Sequence, residues 1–205
     1  MITSVTNQRV KRVVQLNKKP AQRKKESVFI VEGTKMFLEA PERDLEEVYI
    51  SEDFLGKIGE TGVAEIQGKL GRCGYEVVSG EVFAKMSDTQ SPQGILCVAR
   101  EMQYSLEEMT ERAGTPLFLI LENLQDPGNL GTIIRTGEGA GVNGVIMSKN
   151  TADIYNPKSI RATMGSIYRV PFLYTPDISG TVRWLRGKGI GIYAAHLKGK
   201  KCYDE

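Results

Sequence analysis

The 205 residues are 40% hydrophobic and 25% charged, with a formal net charge of +2 at pH 7. That mixture excludes disordered and fibrous chains and is enough for a buried core without disulfides or metal. No apolar run approaches the ~20 residues of a membrane span. The three scattered cysteines (Cys73, Cys97, Cys202) and the single His196 show no zinc spacing and argue against a Ser-His-Asp or Cys-His hydrolase. The opening residues lack the apolar core of a secretory signal, so a reducing cytoplasm is the expected compartment.

Charge is unevenly placed. Arg9, Lys11, Arg12, Lys18, Lys19, Arg23, Lys24 and Lys25 crowd the first 25 residues with no acid among them, leaving a mildly acidic body. A basic arm on such a body suggests a polyanion contacted from the N-terminal end. The alternative is a solvated helix face.

In chain order, Val10, Val13 and Val14 predict a short amphipathic helix over 7–17, ended by Lys18-Lys19-Pro20. Strands are expected at 28–31, 47–50, 75–78 and 94–99. Helices are expected at 33–40, 60–72 and 81–86, the second weakened by its glycines. This alternation predicts a small α/β unit over 1–100. Residues 101–115 are polar, end in Ala-Gly-Thr-Pro and read as a linker. A second unit, 116–205, starts with the wholly apolar Leu117–Leu121, expected as a central parallel strand. Helices at 130–140, 157–167 and 179–187 then alternate with strands at 144–147, 170–174 and 190–195.

The most informative stretch is Leu121–Thr136. A strand ends at Glu122, Asp126-Pro127-Gly128-Asn129 reads as a tight turn, and Asn129 is placed to cap the next helix. Leu130, Ile133 and Ile134 face inward, Gly131 permits a close approach, and Arg135 falls off the apolar stripe. An asparagine and an arginine therefore sit at the edge where α/β sheets usually hold ligands. Gly139-Ala-Gly-Val-Asn-Gly144 has GxGxxG spacing but closes a helix instead of opening one, which argues against a dinucleotide site.

The ordered string Asn123…Asp126-Pro127…Asn129…Gly131…Ile133…Arg135-Thr136 resembles the first signature motif of the SpoU/TrmH RNA ribose 2′-O-methyltransferases, a branch of the knotted SPOUT superfamily. Asn156–Gly165 with Val170-Pro171 is also similar to that family, and Phe29–Thr34 resembles its L30e-like substrate-binding domain. The resemblance implies an L30e-like domain at 1–100 followed by a SPOUT-type parallel-sheet domain. It also implies methyl transfer from S-adenosylmethionine to a ribose 2′-hydroxyl of structured RNA, ribosomal more than transfer RNA, by a cytoplasmic homodimer without metal.

By that resemblance Arg135 engages the reacting ribose and its phosphate, and Asn129 shapes the site. Arg9, Lys11, Arg12, Lys18, Lys19 and Arg161 are the expected RNA contacts. Family members carry, after a segment like Gly191–Gly199, a further strand, a Gly-Asn-Glu-type loop and an Asn-rich motif that supply most of the cofactor pocket. Neither motif stands in these 205 residues. The expectation is therefore an incomplete second domain from a longer product, weak or no S-adenosylmethionine binding, and no assignable cofactor residues. The competing expectation is a non-catalytic RNA-binding protein with a remnant second domain.

Overall fold

A computed structural model describes residues 1–61, 64–112, 114–196 and 198–199. The chain begins with helices α1 (Gln8–Lys18) and α2 (Pro20–Glu26). Strand β1 (Val28–Glu32), α3 (Thr34–Glu39), β2 (Leu45–Ser51), α4 (Glu52–Thr61), α5 (Ala64–Cys73), β3 (Glu76–Val78), α6 (Gly80–Met86) and β4 (Ile95–Arg100) follow. The four strands form a sheet in the order β1-β4-β2-β3, with only β2 and β3 parallel.

Side chains alternate across this sheet. Val28 and Ile30 face α1 and α6, where Val10, Val13, Leu16, Val82, Phe83 and Met86 close one core. Phe29 and Val31 face the opposite way, into a core shared with the second half of the chain.

That second half holds α7 (Leu106–Thr110), β5 (Phe118–Leu121), α8 (Pro127–Gly139), β6 (Gly144–Ser148), α9 (Pro157–Thr163), β7 (Phe172–Thr175) and α10 (Ile178–Gly187). Its sheet is parallel in the order β5-β6-β7. The mixed α/β class and the parallel second sheet are as the sequence predicts. Tyr155 joins the halves: its ring lies 4.8 Å from Phe29 and 5.8 Å from Phe172, and Tyr104 stands 5.7 Å from Phe172. The Tyr155 hydroxyl donates to the Met102 carbonyl at 3.1 Å and accepts from the Met102 N–H at 2.8 Å.

Several expectations are corrected. Pro20 ends α1 but also opens α2, because its fixed φ suits a first helical position where no N–H is needed. The single helix expected over 60–72 is two, α4 and α5. Residues 101–115 are not a bare linker: Ser105 and Glu108 form a capping box for α7, and Met109 is buried against the second sheet. β5 is an edge strand and half-buried along its length, while β6 is the buried central one. The helix expected over 157–167 stops at Thr163. Met164 and Gly165 take φ of 51° and 100°, and a 3-10 turn follows at 166–168. Residues 190–195 form no strand; Ile190 and Ile192 pack as coil beside Leu185. Cys97 is buried, Cys73 half-buried and His196 exposed, while Cys202 lies outside the described residues.

Helices α8 and α9 cross closely at Gly131. A Cβ there would stand 2.5 Å from the Ser159 carbonyl oxygen and 2.6 Å from the Ala162 Cβ. Neither neighbour is a flexible side-chain end. Gly131→Ala is therefore expected to cost about 1–3 kcal/mol through overpacking, measured as a lower urea midpoint with an unchanged slope.

Candidate active site

The chain leaves β5, crosses a short loop and enters α8 with Asp126 as the N-cap. The Asp126 carboxylate accepts the Asn129 N–H at 2.7 Å and pairs with the Lys158 ammonium at 2.9 Å. Pro127 is the first helical residue. The tight turn expected at 126–129 is thus the first turn of the helix itself, and the cap is Asp126, not Asn129. Asp126 receives an N–H that would otherwise be orphaned, and its charge opposes the positive end of the helix. Its carboxyl is held below the usual range, chiefly by the Lys158 hydrogen bond and then by the Asn129 N–H.

Leu130, Gly131, Ile134 and Gly137 form the buried stripe of α8, while Asn129, Thr132, Arg135 and Thr136 form the exposed one. The Thr132 hydroxyl donates to the Gly128 carbonyl at 2.9 Å and the Thr136 hydroxyl to the Thr132 carbonyl at 3.0 Å. Both hydroxyls are turned onto their own backbone. The groups left free to bind are the Asn129 side-chain amide and the Arg135 guanidinium, roughly 9 Å apart along the axis at 1.5 Å per residue. Among the described residues Arg135 holds neither a hydrogen bond nor an ion pair.

The other expected contacts divide. Lys11, Lys18 and Lys19 are exposed and hold no ion pair among the described residues. Arg9 reaches Glu76 at 3.3 Å and stays largely exposed. Arg12 is corrected: Glu26 at 2.6 Å, Glu47 at 3.0 Å and Glu46 at 3.6 Å surround its guanidinium, so a phosphate would have to displace three carboxylates. Arg161 pairs with Asp88 at 3.0 Å across the two halves. It lines a 220 Å³ groove with Gly33, Lys35, Gln93 and Met164. Sequence reasoning missed Arg23, only 2% exposed, which pairs with Asp153. One arginine inside a basic run carries no mark of its burial.

The carboxyl ends of β5 and β6 are tied to each other. The Asn123 N–H donates to the Ser148 hydroxyl at 2.9 Å, Ser148 meets the Thr151 hydroxyl at 3.1 Å, and Thr151 donates to the Leu121 carbonyl at 3.2 Å. These polar groups are satisfied within the chain. The buried polar atoms that lack partners, Asn17 Oδ1, Arg23 Nε and Tyr168 OH, lie on other elements. No group of three or more His, Cys, Asp or Glu among the described residues is placed to hold a metal ion. No helix among them is long and apolar enough to cross a membrane.

Residues 116–205 match the SpoU rRNA Methylase family, and residues 7–97 match the MRM3-like substrate binding domain. Residues 116–205 belong to the SpoU methylase family. It is 29% identical over its whole length to the 23S rRNA (guanosine(2553)-2′-O)-methyltransferase RlmP of Bacillus subtilis, spanning 76% of that protein. It is 31% identical to the mitochondrial rRNA methyltransferase 3A of Danio rerio over 80% of its own length, but spans only 37% of that relative. The AdoMet-bound rRNA methyltransferase of Sinorhizobium meliloti superposes with a TM-score of 0.72 at 26% identity, covering 90% of this chain and 67% of that one.

The state of Asp126 gives a pH prediction. Its folded pKa lies below the unfolded value of about 3.9, so its support for α8 is complete above that pH and fades as pH falls through the folded value. The amide resonance of Asn129 is expected to stay fixed from pH 8 to 5 and to move only under more acid conditions. A titration of that amide near neutrality would contradict the capping assignment.

Proposed function

We propose that this chain serves S-adenosylmethionine-dependent methyl transfer to a ribose 2′-hydroxyl of structured RNA, ribosomal RNA in particular. The observation that carries this reading is the exposed, unpaired guanidinium of Arg135 on α8, next to the family's signature turn. The names of relatives and the AdoMet-bound structural neighbour support the donor and the acceptor class. Two copies paired through the SpoU half, in the cytoplasm, complete the reading. The half-buried apolar edge strand β5 and the 48% exposed Leu117 beside it support such a pairing.

A ribose hydroxyl is a weak nucleophile until it is aligned and its proton is removed. A guanidinium stays protonated in proteins, so Arg135 is assigned to orientation, not proton abstraction. Its planar fork donates two parallel bonds to a phosphate and fixes the attached ribose. The carboxylates that hold Arg12, Arg23 and Arg169 are absent around Arg135, so no internal ion pair must break before RNA binds. Asn129, two turns nearer the N-terminus of α8, is assigned to shaping the site entrance with its free amide.

Arg135→Lys is expected to lose about a hundredfold or more in turnover, since a point charge does not copy the fork and small misplacements of reacting groups are costly. The readout is methyl incorporation into ribosomal RNA from a strain lacking the gene, with circular dichroism confirming an intact fold. Near-native incorporation by the lysine variant removes Arg135 from the reaction. RNA binding without any incorporation by the native protein would instead support a binding module.

A further inference from the structure

A cavity of about 470 Å³ lies where α2 meets the carboxyl end of β6, away from α8. Its walls come from both halves of the chain: Pro20, Arg23 and Lys24 on one side, Lys149, Thr151 and Tyr174 on the other. Glu101 and Asp153 lie within it. Neither Arg135 nor Asn129 lines it.

Four features suit an unpaired nucleotide. Tyr174 is 39% exposed, and its ring is held in place because its hydroxyl donates to the Ala152 carbonyl at 2.6 Å and accepts from the Ile154 N–H at 2.9 Å. A fixed, partly open aromatic ring is a stacking platform for any base. Lys24 and Lys149 are exposed, and their side-chain ammonium groups hold no hydrogen bond or ion pair among the described residues. Lys24 belongs to the same basic run as Lys18, Lys19 and Lys25.

Arg23 is almost wholly buried in the wall, fixed by Asp153 and by the Leu16 carbonyl at 2.7 Å, yet its Nε–H has no acceptor. Glu101 adds a half-buried carboxyl, pushed above its usual range by burial and by Asp153. It offers an acceptor for the amino and ring N–H groups of a base edge.

We propose that this cavity seats one unstacked nucleotide of the RNA substrate, with its base against Tyr174 and its flanking phosphates at Lys24 and Lys149. The site lies away from α8 and includes neither Arg135 nor Asn129, so it fixes where the RNA is gripped relative to Arg135. The proposal rests on the RNA-methylation reading above.

The deciding experiment is ultraviolet cross-linking of the full chain to deproteinised bacterial ribosomal RNA, then nuclease digestion and peptide mass spectrometry. Nucleotide adducts are expected on the peptides bearing Tyr174, Lys149 or Lys24; adducts confined to other surfaces overturn the site. Anisotropy with a labelled ribosomal RNA fragment adds a second measurement. Tyr174→Leu is expected to bind about tenfold more weakly, from the loss of one stacked base, while Tyr174→Phe keeps the ring but loses its anchoring hydroxyl and is expected to bind more tightly than Tyr174→Leu. Lys24→Gln and Lys149→Gln should each lower the slope of log affinity against log salt by about 0.7. Native affinity and slope in all these variants overturn the site but leave methyl transfer standing. A native chain that fails to bind ribosomal RNA overturns both. Should Tyr174→Leu not fold, cross-linking of the native chain still decides.

Discussion

The Tyr155 ring, held between Phe29 of the first sheet and Phe172 of the second, fixes how the two halves of this chain sit together. The tyrosine is 8% exposed, so its hydroxyl needs partners inside the protein, and both come from the backbone of Met102. Burial of the ring draws the halves together without direction, whereas the paired hydrogen bonds are directional and set the register of the connecting segment. Because a single apolar core runs from Phe29 and Val31 to Leu130 and Ile134, the halves share their stabilisation. The basic helices α1 and α2 are thereby held at a constant position relative to α8.

Ion pairs reinforce that junction at its periphery. Arg161 meets Asp88, Arg23 meets Asp153, and Arg169 bridges Glu39 on α3 to Glu138 on α8. The more exposed pairs of Arg161 and Arg169 contribute about 0–1 kcal/mol each, so their value lies more in orientation than in stability, whereas Arg23 is itself buried at the wall of the junction, where it meets its partner. They also separate structural arginines from available ones. Arg12, Arg23 and Arg169 are paired with carboxylates, while Arg135 has none among the described residues. The same residue type thus has opposite roles according to what the fold brings beside it.

The pattern of elements was readable because it depends on local rules. Val28–Val31 forms a strand whose residues alternate between two cores, and Val10 and Val13, joined by Leu16 where the sequence predicts Val14, make α1 bury one face. Asn156 before Pro157 marks the start of α9, where its side chain accepts the Lys158 N–H at 2.8 Å. The misreadings share a cause. Leu117–Leu121 is apolar enough for a central strand, but whether a strand is central depends on which neighbours pair with it. The break between Thr163 and Ser166 follows from the left-handed residues Met164 and Gly165. Gly165 lies directly against the Glu39 carboxylate, a neighbour 126 positions away in sequence that no local window contains.

From the sequence alone came the alternation of helices and strands, the basic arm, and Arg135 on the polar side of α8, since each depends on residues within a few positions of one another. Only the tertiary structure decided which of those charges remain available. Asp126 instead of Asn129 became the helix cap, Arg12 was enclosed by Glu26, Glu46 and Glu47, and Arg23 was buried while Lys24 beside it stayed open. Electrostatic partners and cavity walls are set by proximity in space. In this chain that proximity joins α1 and α2 to strands and loops far along the sequence, where no spacing rule reaches.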